Sequence, residues 1–177
     1  GVKDASNLCM TDRELPGRLS EICGMEVPEY DCLLETTGGV FFDSKEYEVE
    51  KWCDIITLGS AKQIAEYTTG FYRQTPAVTE NSYGNGITWY VGTEPGDDLM
   101  ADLTGYFVKA CNIEMLGTAS EDVEMMTRES DDKIWLFVIN HTNEQQVYHL
   151  NGMYTLLEGE KEDFLKDTLK KASFIML

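Results

Sequence analysis

Basic residues are scarce in this chain: 14 Lys and Arg stand against 32 Asp and Glu, a formal net charge of −18 at pH 7. A phosphate backbone or an anionic bilayer needs a positive surface to meet it, so nucleic acid and membrane are excluded as partners. The deficit is even: residues 1–118 hold 8 basic and 20 acidic groups and residues 119–177 hold 6 and 12, leaving −12 and −6. It is a general surface property with no acidic tail. Histidine is scarcer still. His141 and His149 have no Cys or third His at zinc spacing, which argues against a metal site. The five cysteines, Cys9, Cys23, Cys32, Cys53 and Cys111, contain no Cys-x-x-Cys pair. Their odd number and irregular spacing predict reduced thiols in a cytoplasmic protein rather than a disulfide framework. No apolar run approaches the length of a membrane span, and Gly1-Val2-Lys3-Asp4-Ala5-Ser6 lacks a signal-peptide core. Asn140-His141-Thr142 fits a glycosylation acceptor but reads as a turn after a strand.

What is present is mostly short and alternating. Phe71 to Thr93 reads as two strands joined by a tight turn at Asn85-Gly86, a pair able to take positive φ. Ile87, Trp89 and Val91 alternate with Thr88, Tyr90 and Gly92, so one face can enter a core. Glu14 to Ile22 predicts a short helix, with Leu15, Leu19 and Ile22 on one face and Gly24 as its stop. Val27 to Leu34 reads as extended chain. Glu35 to Trp52 follows as a hairpin or excursion whose Asp43, Glu46, Glu48 and Glu50 face solvent. Ile55 to Thr68 fits helix or strand. Pro95-Gly96-Asp97-Asp98 begins a helix with acidic residues where the amide dipole favours them, and Leu99, Leu103, Phe107 and Ala110 recur on its apolar face. Past a boundary at Leu116–Ser120, strands are expected at Val123–Arg128, Ile134–Asn140, Val147–Leu150, Tyr154–Leu157 and Ser173–Leu177. The composition of Glu160–Lys171 favours a helix.

Several of these segments carry a likeness. Phe71-Tyr72, Thr75-Pro76-Ala77-Val78-Thr79, Tyr83-Gly84-Asn85-Gly86 and Trp89-Tyr90-Val91-Gly92-Thr93 together resemble the trimerisation domain of glycoside hydrolase family 42 β-galactosidases. Leu15-Pro16-Gly17-Arg18-Leu19 with Gly24 and Val27–Asp31 looks like the same family's Pro-Gly-x-Leu helix and following strand. Ile134-Trp135-Leu136-Phe137-Val138-Ile139-Asn140 looks like the opening strand of its small C-terminal domain.

The resemblance implies an α+β architecture: the later part of a glutamine-amidotransferase-like (flavodoxin-like) α/β domain over residues 1–117, then a small antiparallel β-sandwich over 118–177. It implies a strand at Gln63–Tyr67 and strand or loop at Glu160–Lys171, where helix and strand therefore stay open. It also implies a parent that hydrolyses terminal non-reducing β-D-galactosides with retention, using two glutamates of an N-terminal (β/α)₈ barrel. Such a barrel takes roughly 250 residues, more than this chain has, and Gly1-Val2-Lys3-Asp4 resembles a position well inside the trimerisation domain. The chain is thus expected to be a fragment with a structural role, its partner another copy of itself in a homotrimer, with galactoside met only by the absent barrel.

The residues suggest no chemistry of their own. Cys23 ends a helix, and Cys53 sits between Trp52 and Asp54 without flanking glycines. Neither suits the nucleophile elbow of an amidotransferase, so all the cysteines read as buried and structural. Glu29 with Asp31, Asp97 with Asp98, and Glu121 with Asp122 read as surface charge or a helix start rather than a glycosidase pair. Tyr83-Gly84-Asn85-Gly86 lacks the helix and Lys of a phosphate loop. Trp52, Trp89 and Trp135 lie in strand patterns and read as core. No catalytic, cofactor-binding or metal-ligating residue is assigned. The alternatives are a carbohydrate-binding module and an amidotransferase-like enzyme.

Overall fold

The computed structural model describes residues 14–131 and 133–157, with Ser6 and Leu8 and with backbone alone at 35–36, 168–169 and 174–176. It divides into two compact units, residues 1–109 and 110–177. The first unit is built on a six-stranded sheet of β1 (Met25–Phe42), β2 (Lys45–Leu58), β3 (Lys62–Tyr67), β4 (Pro76–Tyr83), β5 (Gly86–Val91) and β6 (Thr93–Pro95). The strand order is β5-β4-β3-β1-β2-β6, and every pairing is antiparallel.

This corrects the expected fold class. A flavodoxin-like α/β domain needs parallel strands, and each parallel step needs a crossover of about a dozen or more residues, usually a helix. Here the links between successive strands are residues 43–44, 59–61, 68–75, 84–85 and 92, too short for any such crossover. The unit is therefore β-rich, and among its described residues the one long helix, α2 (Asp97–Ala110), follows β6.

Two turns show how local residues set the pairing. Asp43 and Ser44 both take left-handed backbone, φ 46° and 67°, which matches the twist of a two-residue hairpin and closes β1 onto β2. The β4–β5 turn lies one residue earlier than the sequence suggested. Tyr83 pairs with Gly86, so the turn residues are Gly84 and Asn85, and Gly84 carries the positive φ of 56°. The expected helix at Glu14–Ile22 is also shorter. Leu15 bridges to Val27, Gly17 has φ 70°, and only a 3₁₀ turn (Gly17–Leu19) and α1 (Ser20–Cys23) follow. Gly24 stops α1 in the left-handed conformation, its N–H bonded to the Ser20 carbonyl at 2.7 Å.

The core follows from alternation. Val40, Phe42, Tyr47 and Val49 of the hairpin meet Ala65, Tyr67, Ala77 and Val78 of the next strands, and Leu99 and Leu103 of α2 complete this cluster. Asp43, Glu46, Glu48 and Glu50 are exposed, as their spacing predicted. Asp97 and Asp98 occupy the first turn of α2 and Lys109 the last, each on the side that suits the macrodipole. Ala110 is exposed instead of joining the apolar face. A second cluster gathers Cys23, Met25, Val27, Ile56 and Ala61.

In the second unit β7 (Gly117–Ala119), β10 (Gln146–Leu150) and β11 (Thr168–Leu169) form one three-stranded antiparallel sheet. The other contains β8 (Val123–Ser130), β9 (Lys133–Asn140) and β12 (Phe174–Met176). Leu136, Val138 and Tyr148 are its buried centre. Tyr154–Leu157 is not a strand. Most of Glu160–Lys171 lies outside the described residues, and Thr168–Leu169 within it is extended.

Candidate interaction surface

The buried carboxylates among the described residues are engaged within the fold. Glu80, 8% exposed, is the clearest case. Strand β4 turns it inward, where Trp89 Nε1 donates to Oε2 at 2.8 Å, Tyr106 Oη donates to the same atom at 2.7 Å, and Lys62 Nζ reaches Oε1 at 2.8 Å. Burial by itself would raise the Glu80 pKa, but the Lys62, Tyr106 and Trp89 bonds outweigh it and hold the carboxyl below its ordinary range. Burial and the same carboxylate push the Tyr106 hydroxyl up to about 12, so it remains a donor. Asp54 is likewise buried, accepting from Trp52 Nε1 and Tyr90 Oη, each at 2.6 Å. These carboxylates bind strands to each other and to α2. A saturated carboxylate is poorly placed to exchange protons with a substrate.

The carboxylate pairs singled out in the sequence fare no better. Asp31 accepts from Tyr72 Oη at 3.0 Å while Glu29 is exposed. Glu121 and Asp122 form an exposed turn, and the Asp122 carbonyl accepts the His141 N–H at 3.2 Å.

Cys23 and Cys53 are buried, and burial pushes both thiols up, away from nucleophilic use. Cys32 and Cys111 are exposed, against the expectation that every cysteine is buried. Cys32 lies outward because β1 alternates and its neighbours Asp31 and Leu33 take the core side. Both histidines belong to the second unit, His141 Nε2 lying 2.7 Å from Glu124 Oε2. Among the described residues no group of three His, Cys, Asp or Glu could hold a metal. Trp89 stacks on Phe107 and Trp135 lies under the Lys133 ammonium.

What remains is a surface. Cys32 pairs with Trp52 and Tyr30 with Asp54, which puts Tyr30, Cys32 and Trp52 on one face of the β1–β2 hairpin. Asp31 and Leu33 point to the other face, toward Tyr72 and the core. Tyr30 and Trp52 stack at 4.3 Å with an 18° angle between rings. Leu34, next on that side of β1, is 90% exposed. Reading Val27–Leu34 as plain extended chain missed this face. The signal was there: Tyr30, Cys32 and Leu34 recur at every second position. Glu80 was missed as well, because nothing in Pro76-Ala77-Val78-Thr79-Glu80 marks the charge as inward.

Residues 1–114 match the model of the β-galactosidase trimerisation domain, and residues 122–166 match that of the β-galactosidase C-terminal domain, both of family 42. The chain belongs to glycoside hydrolase family 42. Among its relatives, β-galactosidase LacA of Lactobacillus acidophilus is 34% identical over 150 residues, 82% of this chain and 22% of that protein. β-Galactosidase BgaB of Geobacillus sp. (strain Y412MC61) is 34% identical over 129 residues, 72% of this chain and 19% of its own length. The chain thus spans about a fifth of the length of these relatives. Among solved structures, the family 42 β-galactosidase Gan42B superposes with TM-score 0.79 at 23% identity, over 99% of this chain and 26% of that one. The β-galactosidase of Rahnella sp. R3 gives 0.79 at 23% identity over 100% and 27%. At that identity the likeness speaks for the fold.

Proposed function

We propose that this chain is the non-catalytic, subunit-joining part of a β-galactosidase and that it assembles as a cyclic homotrimer in the cytoplasm. The carrying observation is the succession of the two family 42 matches, trimerisation domain then C-terminal domain, along one chain. The parent would hydrolyse terminal non-reducing β-D-galactosides on a barrel outside these residues. A ring of three is held by heterologous contacts, each copy offering two different surfaces. The saturation of Glu80 and Asp54 and the inward Cys23 and Cys53 support a role without chemistry. Among the described residues Cys23, Cys32, Cys53 and Cys111 are free thiols, which supports a reducing compartment. We take the second domain to begin at β7 (Gly117–Ala119), close to the Gly117/Thr118 division expected from the sequence and between the two family matches.

Two measurements test this. The 177-residue chain should leave a nitrophenyl β-galactoside intact at every concentration, and sedimentation should give the mass of three chains. Turnover that survives repurification would end the non-catalytic reading, and a single-chain mass would end the subunit-joining one.

A further inference from the structure

Self-association needs a surface, and the hairpin carries one whose occupant can be named. The β1–β2 register slips between Leu33, opposite Lys51, and Gly38, opposite Val49, so residues 34–37 of β1 face Glu50 alone. Lys51 takes up the slip in left-handed backbone, φ 63°, and its ammonium is tied to Glu94. Bulges of this kind re-aim side chains locally. Leu34, at the start of this bulge and two residues past the Cys32 that pairs with Trp52, is 90% exposed, and Tyr30 of the Tyr30–Trp52 stack is 52% exposed. Trp52 spends its N–H on buried Asp54, which leaves the indole no polar atom to present outward. None of these side chains belongs to a core cluster among the described residues.

We propose that the Tyr30–Cys32–Leu34–Trp52 face of the β1–β2 hairpin is the contact by which one copy of this chain holds a second copy. The proposal rests on the self-association reading above and gives it a location. Two features name the occupant. The face lies within residues 1–114, the span that matches a trimerisation domain. And its four named side chains are uncharged on a chain of formal charge −18, so a second copy can cover them without burying a carboxylate of theirs, exposed Glu50 standing at the edge of the patch. Tyr and Trp are the side chains that dominate binding energy at the centre of interfaces. A standard interface covers about 800 Å² per partner, so this face acts as the anchor of a larger contact, and in a ring it meets a different surface of the neighbour.

The test is sedimentation of the 177-residue chain across a concentration series, with Leu34→Glu, Tyr30→Ser and a control, Phe71→Ser, whose ring is 75% exposed elsewhere. Leu34→Glu and Tyr30→Ser should each weaken association by about tenfold or more, while the control assembles like wild type. Maleimide labelling of the unmodified chain gives a second readout that needs no variant. Cys32 should become protected as concentration rises while Cys111 stays reactive. An assembled wild type whose variants assemble as tightly, with Cys32 still labelled, would overturn the placement and leave self-association standing. A wild type that stays a single chain throughout would overturn both, and protection of Cys32 by free galactose would make sugar the occupant.

Discussion

Glu80 is a buried anion whose environment was made for it. Its oxygens take an indole N–H, a phenol and an ammonium, drawn from β5, α2 and β3. Replacing it with Gln keeps one acceptor oxygen but puts an NH2 where the other stood and removes the charge that Lys62 faces, leaving at least one donor without its acceptor, a loss of about 1–3 kcal/mol. Urea unfolding of Glu80→Gln should show that loss at neutral pH. The pH dependence has a definite sign. Glu80's pKa is lower folded than unfolded, so its contribution is complete above the unfolded value of about 4.3 and disappears as pH falls through the lower folded value. Wild type and Glu80→Gln should therefore converge in stability as the solution is acidified, and a constant gap would refute the assignment. Leu103 offers an apolar counterpart. It is fully buried where α2 meets the sheet, and Leu103→Ala should cost about 2–5 kcal/mol. Phe107, half-buried on the same helix, instead secures Trp89.

Among the elements, the turns decide most. Gly84 holds φ 56° with no atom within 4 Å of where a Cβ would stand, so only the backbone conformation resists a side chain there. Gly86 is already in the strand. Gly84→Ala should thus destabilise by about 1 kcal/mol more than Gly86→Ala, and equal melting temperatures would return the turn to Asn85-Gly86. Gly24 combines both constraints. Its φ is 66°, and an added Cβ would lie 2.5 Å from Ser60 Oγ and 2.6 Å from the Asn81 amide. Asn81 in turn donates to the Ile22 carbonyl at 2.8 Å, so a single close approach ties α1 to β4. The long hairpin shows what short links do: with two residues between β1 and β2, the chain has no choice but to return antiparallel.

At the scale of the whole molecule, charge opposes both compactness and assembly. A formal −18 repels itself, and salt shortens the range of that repulsion from about 30 Å at 0.01 M to about 3 Å at 1 M. The melting temperature should rise across that interval, and self-association should strengthen with it. Scanning fluorimetry and sedimentation at matched salt check the two together, and melting that falls with added NaCl would show that ion pairs such as Lys62–Glu80 outweigh the general repulsion. No helix among the described residues is long and apolar enough to cross a membrane.

The sequence alone determined the family, because its motifs lie in order from Leu15 to Asn140, and it determined α2, whose spacing and charged ends are local properties. It also marked the solvated side of the hairpin through Glu46, Glu48 and Glu50. The fold class was not legible in the same way. It was inferred from the likeness, and the antiparallel sheet corrected it once pairing partners and link lengths were known. Periodicity says which residues share a face but not what lies over that face. Only the tertiary structure decided that the Leu34 side chain is left exposed while Glu80 of β4 turns inward to three donors. Both outcomes depend on contacts between residues distant in the chain, and no local pattern contains them.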